Sequence, residues 1–206
     1  MRAASSQRQR LVELLREGHI VRAAQIRKAG IDATTISRAV ADGVIVRLSR
    51  GVYQLPDRVE SAHQALAEAA KRVPKGVICM TSALAFHGLT DQIPRKVWIA
   101  IGPKDWKPSE NAYPPLRIVR FTEPYLSSGI ERHTISGVAT PIYSAVKTIA
   151  DIFRNPKLVD RSIAIEAIRT ALRERAATPA EIAEAAQKGG VWRKVRPYLE
   201  ALTSDG

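Results

Sequence analysis

Apolar positions recur at helical spacing from the start of the chain. Leu11, Leu14 and Leu15, with Val12 adjacent, predict an amphipathic helix from about Gln7 to Glu17. Gly18 stands where a helix end tolerates a left-handed backbone. Arg22 to Ala29 predicts a second, short helix with Ala23 and Ile26 inward and Arg22, Gln25, Arg27 and Lys28 outward. Gly30 stops it, and Asp32 or Thr34 is placed to cap a third helix by accepting its free amide hydrogens. On that helix Ile36, Ala39 and Val40 form an apolar face, leaving Thr34, Thr35, Ser37, Arg38 and Ala41 on the other. Val44–Leu48 and Val52–Leu55 then alternate as strands, turning at Ser49-Arg50-Gly51. Two helices broken by a short turn and followed at once by a β-hairpin have the layout of a winged helix-turn-helix. That module sets its second helix into the DNA major groove.

The second half mixes both periodicities. Helices are predicted over Asp57–Arg72, ended before Pro74, and over a short segment capped by Thr81 or Ser82 and closed by Gly88. Val97–Ile101 and Leu116–Phe121 read as strands flanking a long loop with four prolines. Ile130–Ile135 and Val138–Thr140 pair as a hairpin through Ser136-Gly137. Helices over Ser144–Arg154, Asp160–Arg175, Pro179–Gln187 and Val191–Leu202 finish the chain, the third opened by a Thr178–Glu181 capping box. The expected fold class is α+β: residues 1–58 a winged helix-turn-helix, and 59–206 a mixed domain with a small β-sheet and a helical C-terminal portion.

Charge sharpens this reading. The 206 residues carry a net charge of +12, which points to a polyanionic partner. Residues 1–58 hold eleven basic and five acidic side chains, a balance of +6, so half the excess sits in little more than a quarter of the chain. On the third helix, short polar side chains and Arg38 suit a groove: Arg38 to pair bidentately with a guanine, Thr34, Thr35 and Ser37 to meet bases or phosphates. Arg22, Arg47 and Arg50 are expected on phosphates, with Arg47, Ser49 and Arg50 tipping the wing. Arg2, Arg8 and Arg10 form either a disordered basic arm or a solvated terminus.

Catalytic chemistry is poorly represented, and no enzymatic activity is expected. His63, His87 and His133 sit on separate elements with no carboxylate or cysteine at ligand spacing, and no P-loop pattern occurs, so neither metal nor cofactor is expected. The single Cys79 lies in an apolar run, as a buried inert thiol does, and suits a reducing cytosol. Asp151, amid Ile149-Ala150-Asp151-Ile152-Phe153, either pairs with an arginine or Lys147 or marks a functional surface. Trp106 stands between Lys104 and Lys107 in the long loop: a plain exposed loop, or a ring that stacks on nucleic acid or a partner. No apolar stretch reaches the roughly 18 residues of a membrane span and no signal peptide is recognisable, which leaves the cytoplasm.

These residues resemble a known family. Arg22-Ala23, Ile26, Ala29-Gly30-Ile31, Gly43, Ile45, Arg47 and Arg50-Gly51-Val52-Tyr53 are similar to the N-terminal winged helix of AbiEi-family antitoxins from type IV toxin–antitoxin systems. TSALAFHGLTDQIPRKVWIAI, Thr81–Ile101, resembles that family's S-A-L-x-x-H-G-L segment followed by a strand. GVATPIYSAVKTIADIFR, Gly137–Arg154, resembles its later strand running into a helix with a T-(I/L/V)-x-D core. The chain departs from the pattern at Ile142-Tyr143-Ser144-Ala145, where a P-E-R- or A-R-like helix start is expected. The resemblance implies a bifunctional regulator. Its winged helix would bind inverted repeats of double-stranded DNA in its own promoter, and its C-terminal domain would counteract a nucleotidyltransferase-type toxin, direct contact being left open. The alternative is a winged-helix regulator with a ligand-sensing C-terminal domain.

Overall fold

The computed structural model describes residues 6–18, 21–49, 51–56, 63–92, 94–109 and 112–203. The chain divides into two compact units. One holds Met1–Lys75, Pro108–Leu116 and His133–Thr140, the other Gly76–Lys107, Arg117–Arg132 and Pro141–Gly206. The boundary expected between residues 58 and 59 falls outside the described residues.

The first unit opens with α1 (Gln7–Gly18), β1 (Val21–Arg22), α2 (Ala23–Lys28), α3 (Ala33–Ala41), β2 (Val46–Ser49) and β3 (Val52–Gln54), followed by α4 (Gln64–Arg72). Ser6 begins α1, its hydroxyl accepting from Gln9 N–H at 3.2 Å while Gln9 Oε1 accepts from Ser6 N–H at 2.8 Å. Gly30, at φ +76°, turns the chain out of α2, and Asp32 caps α3 by accepting from Thr35 N–H at 2.6 Å. The sheet has order β1-β3-β2, so the wing hairpin is completed by a short strand whose second residue, Arg22, the sequence reading had placed in the second helix. Val21 lies opposite Tyr53 and Arg22 opposite Val52. The wing pairs Arg47 with Tyr53 and Ser49 with Val52, the register slipping between them as a bulge. Leu11, Leu15, Ile26, Ile31, Ile36 and Ile45, all at most 5% exposed, form the core that holds these elements together.

Helix α4 ends just before Pro74, as expected. Its last residue, Arg72, donates to the carbonyls of Ser109 at 2.6 Å and Ala112 at 2.8 Å, and to that of Pro114. One guanidinium thus supplies hydrogen bonds to three carbonyls of a loop with little regular structure. The part of the expected helix before Gln64 that covers residues 57–62 lies outside the described residues.

The remaining elements are β4 (Val77–Ile78), α5 (Met80–Phe86), β5 (Val97–Ile101), β6 (Leu116–Arg120), β7 (Ile130–Ile135), β8 (Val138–Tyr143), α6 (Ala145–Arg154), α7 (Arg161–Arg173), α8 (Pro179–Lys188) and α9 (Trp192–Thr203). The strands form a five-stranded sheet of order β6-β5-β4-β8-β7, with β4 antiparallel to β5 and parallel to β8. Ser136 and Gly137, at φ +49° and +73°, make the two-residue turn of the β7–β8 hairpin. Ser144 caps α6, Asp160 caps α7, and Thr178 with Glu181 forms the expected box on α8.

Helix α6 is the centre of this unit, touching α5, α7, α8 and α9, with every residue from Lys147 to Phe153 buried. Its apolar members join Leu84, Leu89, Trp98, Tyr143 and Ile168 in one core. The start of α5 corrects one expectation. Its N-cap is Cys79, so Thr81 and Ser82 lie inside the helix. The Ser82 hydroxyl accepts instead from Trp98 N–H at 3.0 Å, a partner distant in sequence.

Candidate nucleic-acid interface

Helix α3 presents a stripe built on its own period. Thr34, Ser37, Arg38 and Ala41 fall at i, i+3, i+4 and i+7, and all four are exposed. Ile36 and Ala39, on the reverse side, are 5% and 1% exposed, so the helix is anchored along one face and free along the other. Arg38 makes no ion pair or side-chain hydrogen bond among the described residues. Its guanidinium therefore keeps all five donors for a ligand, the requirement for a bidentate contact to guanine O6 and N7.

The start of α3 is held from α1. Gln7 Oε1 accepts from the Thr35 hydroxyl at 3.0 Å and from Asp32 N–H at 3.2 Å. Arg8 pairs with Asp42 at 2.7 Å, just past the end of α3, and Arg10 donates to the Ala29 carbonyl. Arg8 and Arg10 therefore belong to α1 and to its contacts, a correction to the basic arm that was one of the two expectations for them; Arg2 lies outside the described residues. Their place was legible, since both fall inside the predicted helix. Hydrogen bonds from Thr35, its backbone N–H first and its hydroxyl second, hold the Asp32 carboxyl below its ordinary value.

The remaining expected site residues divide. Arg47 is exposed on β2 and Ser49 ends that strand, whereas Arg50 lies outside the described residues. Arg22 is placed differently from Arg47. It is half-buried on β1, its guanidinium donates to the Arg72 carbonyl at 3.3 Å, and its backbone N–H donates to Gln25 Oε1 at 3.0 Å. Lys71 donates to the same Gln25 oxygen at 2.7 Å. Burial first, and the neighbouring Arg22 charge second, push the Lys71 ammonium below its usual range.

The second unit contains His87, Cys79 and Asp151. His87 Nε2 lies 2.8 Å from the Tyr143 carbonyl and so joins the end of α5 to the end of β8. Cys79 is fully buried, and loss of solvent pushes its thiol well up. Asp151, 1% exposed, accepts from Lys147 and, at 2.6 Å, from Arg154. Arg154, half-buried, lies over the half-buried Tyr125 ring at 3.5 Å and Lys147 over Tyr143 at 4.3 Å, so carboxylate, cations and aromatic faces form one cluster. Beside it lies a cavity of about 600 Å³ lined among others by Tyr125, Glu131, Ser144, Lys147, Glu184 and Lys188. Among the described residues no three histidine, cysteine, aspartate or glutamate side chains converge as a metal site would require. No helix among them is long and apolar enough to cross a membrane.

Residues 9–56 match the family model described as transcriptional regulator, AbiEi antitoxin. This segment, less than a quarter of the chain, is similar to the AbiEi antitoxin family of transcriptional regulators. The matched segment runs from within α1 to the end of the wing, so it contains the α3 stripe and Arg47. The fold of the whole chain is similar to that of the RV2827C protein from Mycobacterium tuberculosis. The two are 13% identical, with a TM-score of 0.57 over 99% of this chain and 83% of that one. No curated protein matches the chain.

Proposed function

We propose that this AbiEi-type regulator is an antitoxin and autorepressor that binds inverted repeats in its own promoter. The observation that carries the reading is the α3 stripe: Thr34, Ser37 and Arg38 exposed on a helix whose opposite face is buried and whose start is held by Gln7. Arg38 reads a base, with Thr34 and Ser37 beside it, while Arg47 on the wing and Arg50, three residues later in sequence, contact phosphates. Thr35 and Ser49 lie next to these contacts, and Arg22 acts mainly as a brace behind the wing. An inverted repeat calls for two copies of the chain per operator.

The second unit counteracts a nucleotidyltransferase-type toxin, a reading that rests on the family match and on the resemblance of Thr81–Ile101 and Gly137–Arg154. The cavity beside Lys147 supports a second reading, in which this unit senses a small ligand and the chain is a ligand-responsive regulator. Titration of the full chain with upstream DNA and with scrambled DNA tests the first reading. Equal affinity for both would overturn it.

A further inference from the structure

Trp106 is 76% exposed, whereas Trp98 is 6% exposed and Trp192 half-buried. Among the described residues of its unit it is the one large apolar side chain left in solvent. An indole is among the costliest side chains to leave in water, so its exposure calls for an explanation.

The loop that carries it is braced. Arg120 donates through one nitrogen to the carbonyls of Gly102 at 2.6 Å and Pro103 at 2.8 Å, and through the other to that of Asp105 at 3.1 Å. The Asp105 carboxylate, next to Trp106 in sequence, accepts from Gly102 N–H at 2.7 Å and is turned back on its own loop. Lys104 and Lys107, both exposed, flank Trp106 in sequence.

We propose that this loop is a binding site for single-stranded nucleic acid, in which Trp106 stacks on an unpaired base and Lys104 and Lys107 contact the flanking phosphates. Two observations decide the chemistry. First, Trp106 is the one large apolar residue in the stretch 102–109, flanked there by Lys104 and Lys107, whereas an aromatic anchor for a protein partner sits within an apolar, water-excluding patch. Second, an indole that is 76% exposed is complementary to a base whose own face is uncovered, which a continuous duplex does not offer. Bracing by Arg120 lowers the entropy lost when the ring is immobilised on a base. This site lies outside the winged helix and is independent of operator recognition.

The test is an intrinsic-fluorescence titration of the full chain with oligothymidylate and with oligouridylate of about ten nucleotides, against a blunt duplex. Both single strands should quench the exposed tryptophan, and the two arms show whether DNA or RNA is preferred. Trp106→Ala should weaken single-strand binding about tenfold or more, and Trp106→Phe should retain most of it. Lys104→Ala and Lys107→Ala should each reduce the salt slope by about 0.7. Operator-duplex binding should be unchanged in all four variants and reduced in Arg38→Ala, which keeps the two sites distinguishable. Absence of quenching by either strand, or single-strand affinity unaltered in Trp106→Ala, would overturn the proposal. So would an equal loss of duplex binding in that variant.

Discussion

Thr35 on the third helix gives its hydroxyl to Gln7 on the first, at 3.0 Å, and the same oxygen accepts Asp32 N–H. A residue of α3 is thereby tied to the scaffold, and the helix start is fixed by groups 25 and 28 residues away in sequence. Gln7→Ala and Thr35→Ala should each lower stability, and the double variant should lose less than their sum, with a coupling of about 0.5–1 kcal/mol. Urea melts of the four proteins check this. Strict additivity would show that the bond contributes nothing.

The wing and the brace behind it predict different responses to salt. Arg47→Ala and Arg50→Ala should weaken binding to every DNA sequence and reduce the salt slope by about 1 each. Arg22→Ala should lower the melting temperature through loss of its bond to the Arg72 carbonyl, and change the slope less. A full unit of slope lost in Arg22→Ala, with no change in melting, would place that guanidinium on a phosphate instead.

Three helix caps give the fold an acid limit. Hydrogen bonds to Asp32, Asp160 and Glu181 lower their carboxyls from ordinary values of 3.8, 3.8 and 4.5. A carboxyl lowered in the folded state contributes stability that is complete above its unfolded value and is lost as pH falls through the folded one. The melting temperature should therefore hold from neutrality down to those ordinary values and fall below them. Carbon NMR titration of Asp32 should place its midpoint under 3.8, and a midpoint at or above that value contradicts the cap.

Asp151 stands between two cations with 1% of its surface exposed. Burial pushes its carboxyl up, and Lys147 and Arg154 oppose that shift. Asp151→Ala leaves Lys147, itself 8% exposed, beside Arg154 with no counter-charge, and should cost about 3–5 kcal/mol. Chemical denaturation measures this. A loss below about 1 kcal/mol, the value of a surface pair, would show that water reaches the cluster.

Much of the fold was legible because its helices keep a clean period and end in marked residues, such as Gly30 after α2 and Thr178 before α8. The β7–β8 hairpin was announced by Ser136-Gly137. Strands β1 and β4 were not legible, since Val21–Arg22 and Val77–Ile78 are too short to show an alternation of two. The cap of α5 was misplaced because Ser82 looks available in sequence, while in the fold its hydroxyl is taken by Trp98 N–H. The polar face of α3 could be read from spacing alone. Which of its residues are tied, as Thr35 is to Gln7, and that Arg22 meets Arg72, depends on long-range contacts that no local pattern encodes.

The central claim is that Arg38 reads a base on the operator. Fluorescence anisotropy of the intact chain and of Arg38→Ala, on DNA from upstream of its own gene and on scrambled DNA over a range of salt, tests it most directly. The account predicts selective binding by the intact chain. In Arg38→Ala it predicts a loss of about 1–3 kcal/mol on the upstream DNA, with little change on the scrambled sequence. An equal loss on both sequences would make Arg38 a phosphate contact, and the recognition assigned to α3 would be wrong.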